Sequence, residues 1–207
     1  MTWPTPHPGF RQLVRRRSCT VVHPHPSVVA LVGNPRPGSR TRAAAEHLAA
    51  RLGPALAPVP ADEPVPYSTV DLADLAPVLF AAERPAVDEA LRLVAGADVL
   101  LVATPVYKAS YTGLLKSFLD LYGPDGLAGV TAVPVVVSGN PAHALVGEVH
   151  LRPLLVELGA TVPARSFTVT EADLADLDPA VDRWLDRAAE PLRRSLGGVA
   201  TLAEVLR

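Results

Sequence analysis

The chain has 207 residues, of which 49% are hydrophobic and 19% charged, a composition typical of one or two globular domains and unlike that of a disordered chain. Its formal net charge of -2 gives no overall attraction to nucleic acid or to anionic membranes. A single cysteine, Cys19, excludes an internal disulfide and a CxxC metal site. We therefore expect one domain in the reducing cytoplasm.

The first 26 residues differ in composition from the rest of the chain. They are rich in proline, carry the arginine cluster 15–17 and lack a sustained hydrophobic period, as is typical of a disordered extension. Histidine and proline at 23–26 interrupt the apolar run that an export signal would need. We expect a disordered extension over 1–26 and a folded domain over 27–207.

From residue 27 onward, short apolar runs alternate with helical patterns. The predicted strands are 28–32, 66–72, 98–103, 130–137 and 161–169, and the predicted helices are 41–52, 83–95, 110–121, 142–158 and 179–196, followed by a short tail. Gly53 and Pro54 should end the first helix, Pro134 indicates a strand start or a bulge, and Pro153 should kink the fourth helix. Strands separated by helices predict a doubly wound parallel sheet.

The segment 33–41 follows the first strand and therefore lies at the edge of the sheet where ligands bind. Two arginines, two hydroxyl side chains and the start of a helix suit a phosphate. Neither GxxxxGKS/T nor GxGxxG is present, which disfavours a nucleotide triphosphatase and a standard dinucleotide-binding domain. Taken alone, the loop is read equally well as a plain helix cap by Ser39 or Thr41.

Two further loops fall at the same edge. The segment 104–116 carries two of the four tyrosines, Tyr107 and Tyr111, whose rings can stack on a flat ligand. Packing of these rings on a neighbouring subunit is the alternative. The segment 138–143 after the fourth strand is a third tight loop, so three loops converge on one predicted site.

The motif Thr-Pro-Val-Tyr-Lys-Ala-Ser-Tyr-Thr-Gly-Leu-Leu-Lys at 104–116, together with the loop at 33–41, resembles the NAD(P)H-dependent FMN reductase family. The likeness is greatest to the reductases of alkanesulfonate assimilation, which supply reduced FMN to a partner monooxygenase, and it extends over 28–169. It implies a flavodoxin-like fold with five strands in the order 2-1-3-4-5. It also implies FMN and NADPH or NADH as cofactors, and a homodimer or homotetramer.

The resemblance assigns the FMN phosphate to the first loop and the isoalloxazine ring to the other two. The cofactor-binding residues it implies are Asn34, Arg36, Ser39, Arg40, Thr41, Pro105, Val106, Tyr107, Lys108, Ser138, Gly139 and Asn140. Asn34 stands where the family usually has serine, and its amide can still donate to a phosphate. Where the sulfonate-type reductases carry an inserted tyrosine at a tetramer interface, this chain has Val149 with His150 beside it.

No catalytic side chain and no metal site are predicted. The six histidines include no HExxH pattern, and Lys116 and Asp120 at i,i+4 are read as an ion pair on one helix. The resemblance favours NAD(P)H-dependent reduction of FMN by hydride transfer. The alternatives are a quinone or azo-compound reductase that retains its FMN, and a non-enzymatic electron carrier of flavodoxin type, against which the small net charge argues.

Overall fold

A computed structural model describes residues 25–57 and 65–205. The predicted extension 1–26 lies outside these residues except for its last two. Five strands form one parallel sheet in the order β2-β1-β3-β4-β5, which confirms the predicted doubly wound fold. The strands are β1 Val28–Val32, β2 Tyr67–Asp71, β3 Val99–Pro105, β4 Thr131–Ser138 and β5 Phe167–Thr170.

Helices cover both faces of the sheet. They are α1 Arg40–Leu56, α2 Leu72–Leu75, α3 Pro85–Gly96, α4 Gly113–Leu119, α5 Arg152–Glu157 and α6 Asp178–Val205. Short 3-10 turns lie at Ala76–Val78, Pro141–His143 and Asp173–Ala175, and a π-helical turn lies at Gly147–Leu151. The short helix α2 was not predicted.

The alternation of side chains along β1 divides the interior into two cores. Val28, Ala30 and Val32 pack with residues of α1 and α6 on one face of the sheet. Val29 and Leu31 pack with residues of α3, α4 and α5 on the other. Because all five side chains are buried, β1 reads as a continuous apolar run, as expected for a central strand covered on both faces.

The first helix does not end at Gly53 and Pro54, so this prediction was wrong. α1 continues to Leu56, with Pro54 in its last turn. Gly53 serves close packing instead, because a Cβ there would lie only 2.9 Å from the Cβ of Val65. The last helix likewise runs through Gly197 to Val205 where a tail was predicted, since glycine lowers helix stability by only about 1 kcal/mol.

Pro134 forms neither a strand start nor a bulge, since it pairs with Val102 inside β4. The amide of Thr131 donates to the carbonyl oxygen of Asp98, the residue before β3. The amide of Ala132 donates to the carbonyl oxygen of Thr161, on the side of β4 where β5 lies. The backbone amides of successive residues in a strand face opposite sides, so the nitrogen of Pro134 faces β5. The pairing of β4 with β5 begins one residue later, at Val135. The missing N–H therefore removes no ladder hydrogen bond.

The predicted helix 142–158 is divided into three pieces. The π-helical turn precedes Pro153, and the Arg152 amide donates to the Gly147 carbonyl five residues back. The kink predicted at Pro153 thus takes the form of a π turn. The Arg152 guanidinium also donates to the carbonyl oxygens of Val162 and Ala164. Because these acceptors are used by a side chain, β5 begins only at Phe167, whereas the sequence predicted a strand from residue 161.

Candidate functional site

A cleft of about 560 Å³ opens at the carboxyl ends of the central strands. Ten of the twelve predicted cofactor-binding residues line it: Asn34, Arg36, Ser39, Arg40, Thr41, Pro105, Val106, Tyr107, Ser138 and Gly139. Lys108 and Asn140 are not among its lining residues. Sequence reasoning missed four others, Pro37, Gly38, Val137 and Glu171.

The first wall of the cleft is the loop that leads from β1 into α1. Gly38 has a φ of +59°, a conformation that glycine adopts without the strain a side chain would bring. Ser39 then caps α1, because its hydroxyl accepts a hydrogen bond from the Arg42 amide at 3.2 Å. The predicted cap by Ser39 is therefore present, and the α1 N-terminus with its positive dipole end faces the cleft.

Asn34 shapes this loop from within. Its carbonyl oxygen accepts from the Arg36 amide at 3.0 Å, and its amide donates to the Thr41 hydroxyl at 3.1 Å. Both Asn34 and Thr41 are buried. The two side chains therefore hold the loop in shape, and the groups directed to solvent are those of Arg36 and Arg40.

The second wall is the turn after β3. The Val106 amide donates to the Val137 carbonyl at 3.2 Å, and Tyr107 and Ser110 exchange two backbone hydrogen bonds. Lys108 and Ala109 between them both have positive φ, as in a type I′ turn. The turn therefore holds Tyr107 at the rim, 43% exposed, and carries Lys108 beyond the cleft.

The third wall is the loop after β4. The buried Ser138 hydroxyl donates to the Asn140 carbonyl at 3.0 Å and lies 3.2 Å from His143 Nδ1. The Asn140 side chain accepts from the Ala142 amide at 2.9 Å and so caps the following 3-10 turn. This bond explains why Asn140 lies outside the cleft lining, while Ser138 and Gly139 remain within it.

Glu171 places a negative charge in a cleft otherwise lined by two cations. Its carboxylate lies 2.6 Å from Arg40 Nη2, whereas Arg36 makes no ion pair among the residues that the structure describes. Glu171 directly follows β5, and that position was the signal available in the sequence, since the ends of all five parallel strands reach one edge.

Groups with a displaced pKa lie elsewhere. Burial raises the pKa of Tyr122 and of Asp71, and the bond to Asp120 raises the pKa of Lys116, where the predicted ion pair is present. Across residues 25–57 and 65–197, no three His, Cys, Asp or Glu side chains come close enough to hold a metal ion. Nor does any helix in the described part of the chain have the length and apolarity needed to cross a membrane.

A second cleft of about 640 Å³ lies at the opposite edge of the sheet, beside the amino ends of β1 and β2. Its lining is mostly apolar and includes Val29, Val65 and Leu93. Although it is the larger cleft, it lies at the edge opposite to the loops that follow the strands. Ligands of open parallel sheets bind at the carboxyl edge, so the smaller cleft is the candidate site.

The sequence over residues 26–173 matches the family model of NADPH-dependent FMN reductases. The chain belongs to this family. It is 38% identical over 156 residues to the NADH-dependent FMN reductase SfnE of Pseudomonas putida, covering 72% of this chain and 80% of that protein. It is 35% identical over 151 residues to an FMN reductase (NADPH) of Pseudomonas aeruginosa, covering 70% and 77% respectively.

A solved structure of an NADH:FMN oxidoreductase in its apo form superposes with a TM-score of 0.69 at 34% identity, covering 82% of this chain and 89% of that one. Family membership confirms the resemblance drawn from 104–116 and 33–41. This FMN reductase is thus an oxidoreductase that uses NAD(P)H and FMN on a flavodoxin-like fold. Membership of this enzyme family excludes the alternative of a non-enzymatic electron carrier.

Proposed function

We propose that this reductase binds FMN in the carboxyl-edge cleft, with the phosphate against the loop 33–41. The observation that carries the proposal is the donor set of that loop: the N-terminus of α1, the Ser39 hydroxyl and two guanidinium groups all border one cleft. Such a set matches a phosphate, which carries a charge of about -1.5 to -2 near neutral pH. The roles of Asn34 and Thr41 are to hold the loop in shape.

The isoalloxazine ring is assigned to the other two walls. Pro105, Val106 and Tyr107 offer an apolar and aromatic surface, and Ser138 with Gly139 forms the facing backbone. Lys108 and Asn140 were also predicted to contact the flavin, and this stays a prediction, since each directly follows a residue that lines the cleft. Aromatic side chains beside a flat ring contribute roughly 0.5–1.5 kcal/mol beyond the area they bury.

When bound, the flavin accepts a hydride from the nicotinamide ring. The protein's part is to orient the two rings and to exclude alternative geometries, which is the main way in which proteins assist cofactor chemistry. No side chain of the cleft is assigned as a general acid or base. Ser138 and His143 are assigned the positioning of the loop after β4, on the strength of their 3.2 Å contact.

We further propose that FMN is an exchangeable substrate and that the reduced flavin passes to a partner monooxygenase. The open rim of the cleft, where Tyr107 is 43% exposed, supports exchange. Self-association as a homodimer or homotetramer is supported by three exposed apolar side chains between β4 and β5, Leu145, Val149 and Val156. The single cysteine accords with a cytoplasmic location.

The test begins with the absorbance spectrum of the purified protein, which reports whether flavin is retained. Stopped-flow bleaching of added FMN with NADH and with NADPH then measures reduction. Rapid gel filtration of the protein mixed with FMN, followed by assay of the separated fractions, measures exchange. We expect bleaching that saturates with added FMN, and loss of the flavin on the column.

Retention of stoichiometric flavin, combined with rapid turnover of a quinone or azo dye without added FMN, would instead support the FMN-retaining reductase. Failure of both nucleotides to bleach FMN would contradict the assigned hydride transfer from NAD(P)H to FMN.

A further inference from the structure

Glu171 is the one acidic side chain among the residues that line the cleft. We propose that it weakens the hold on the FMN phosphate by competing for Arg40, and so sets the rate at which flavin leaves the enzyme. The proposal rests on the assignment of the phosphate to the loop 33–41 and adds a residue that tunes this site for exchange.

The position of Glu171 is fixed by its backbone. Its amide donates to the Ser138 carbonyl at 3.1 Å, which ties it to the end of β4. The preceding residue, Thr170, donates through its amide and its hydroxyl to the Asp173 carboxylate, both at 2.7 Å. The backbone of Glu171 is therefore held at the end of β4, and its side chain reaches Arg40 at the start of α1.

The carboxylate reaches two parts of the site. It accepts from Arg40 at 2.6 Å, and it lies 3.7 Å from the point where a Cβ would stand on Gly139. Since Gly139 and Arg40 belong to opposite walls of the cleft, the charge of Glu171 lies between them. A phosphate that engages Arg40 must displace this carboxylate or remain close to it.

Glu171 lowers the net positive charge of the cleft lining. Arg36 and Arg40 supply two positive charges and Glu171 removes one of them. A phosphate therefore meets a net charge of about +1 where it would otherwise meet about +2. The Arg40 and Glu171 side chains are 66% and 52% exposed, so solvent and salt screen the interaction and the effect is modest.

Among the described residues, the ion-pair partner of Glu171 is Arg40. Asp173 accepts hydrogen bonds from Thr170, and Glu148 binds Ser166 and Arg152, but Glu171 pairs with a residue of the cleft itself. An ion pair this exposed contributes little to folding. Its effect is therefore expected on binding of a phosphorylated ligand, with little change in the free energy of unfolding.

The test compares Glu171→Gln with wild type. Gln keeps the shape of the side chain and removes its charge. We expect FMN to bind about two- to fivefold more tightly, a range set by the screening of exposed charges, with a matching fall in its dissociation rate. Riboflavin lacks the phosphate, so its affinity should stay within about twofold, and the FMN effect should shrink at high salt.

The matched control is Glu190→Gln. Glu190 also pairs with arginine, at Arg194, but lies on α6 near Ser195, which contacts Thr131 at the amino end of β4. The same change in net charge should there leave FMN affinity unchanged. An unaltered ratio of FMN to riboflavin affinity in Glu171→Gln, or weaker FMN binding, would overturn the proposal.

Arg36→Ala, measured alongside, separates this proposal from the one on which it rests. If Arg36→Ala weakens FMN selectively while Glu171→Gln has no effect, the phosphate site stands and the role of Glu171 fails. If Arg36→Ala weakens FMN and riboflavin equally, the phosphate assignment itself fails.

Discussion

The hydroxyl of Thr112 donates a hydrogen bond to the carbonyl oxygen of Gly33, 79 residues earlier in the chain. The Thr112 hydroxyl oxygen in turn accepts from the Leu115 amide at 3.1 Å and so caps α4. Thr112 is 2% exposed. One buried side chain therefore joins the loop after β1, which forms the first wall of the cleft, to the start of α4, which follows the turn that forms the second wall.

Replacing Thr112 with Val should destabilise the fold by about 1–3 kcal/mol, because it removes a helix cap and leaves buried polar groups without a partner. Urea unfolding followed by circular dichroism measures the loss. Thr112→Ser keeps the hydroxyl and is the matched control, with most of the stability retained. A Thr112→Val variant as stable as wild type would contradict the role of the hydrogen bond.

Gly33→Ala should also be destabilising, for a steric reason. A Cβ at Gly33 would lie 2.6 Å from the Cβ of Leu115, whereas a Cβ at Gly113 would meet nothing within 4 Å. We expect a loss of about 1–3 kcal/mol for Gly33→Ala, as is usual when a packed core is overfilled. Thermal unfolding of Gly113→Ala, with expected stability equal to or above wild type, provides the comparison.

Local sequence patterns are sufficient to identify the buried strands. The run Val28–Val32 is buried along its whole length, so a simple apolar count identifies β1. Pro105 and Ser138 end strands of the sheet, and the parallel sheet brings the loops that follow them to one edge. Chain order and the position of strand ends thus predicted the parallel sheet and the three loops of the cleft, whereas the individual cofactor-binding residues were implied by the family resemblance.

Features that depend on distant contacts were missed. Gly53 packs against Val65 and Pro134 faces the unpaired start of β5, and neither relationship is visible in the local sequence. The pairing of Glu171 with Arg40, 131 residues away, is likewise absent from the local sequence, although the position of Glu171 after β5 is not. Local propensity describes the elements, while such pairings depend on how the elements meet.

Asp173 should contribute a pH-dependent part of the stability. Hydrogen bonds from the Thr170 amide and hydroxyl lower the pKa of its carboxyl group. A lowered pKa in the folded state stabilises the protein above the ordinary carboxyl pKa of about 3.9, and this contribution is lost as the pH falls through the lower folded value.

Asp173→Asn should therefore be less stable than wild type by about 1 kcal/mol at pH 7, with the difference shrinking below about pH 4. Urea unfolding at a series of pH values measures both chains. A difference that stays constant down to pH 2 would contradict the assignment.

Arg36→Ala should weaken FMN more than riboflavin. A guanidinium bound to a phosphate contributes roughly 1.5–3 kcal/mol, and riboflavin has no phosphate to lose. Fluorescence titration with each flavin measures the two affinities. Arg187→Ala, the same charge change at an exposed position of α6, should leave both affinities unchanged. Equal weakening of both flavins by Arg36→Ala would contradict the phosphate assignment.

His143→Gln tests the hypothesis that the protein supplies no acid or base for hydride transfer. His143 Nδ1 lies 3.2 Å from the Ser138 hydroxyl, a contact that holds the loop after β4. Gln can keep a hydrogen bond there, so flavin reduction should fall by less than about tenfold, whereas loss of a general acid typically costs about 10²–10⁴-fold.

Tyr107→Ala is the comparison for His143→Gln, because it removes a ring from the cleft lining and should slow reduction more than His143→Gln does. Both variants are measured by single-turnover bleaching at saturating FMN and NADPH, with FMN affinity determined separately. A loss greater than about a hundredfold in His143→Gln at unchanged FMN affinity would match a proton donor and overturn the assignment of a positioning role. A smaller loss, with Tyr107→Ala the more impaired variant, would agree with catalysis by orientation of the two rings.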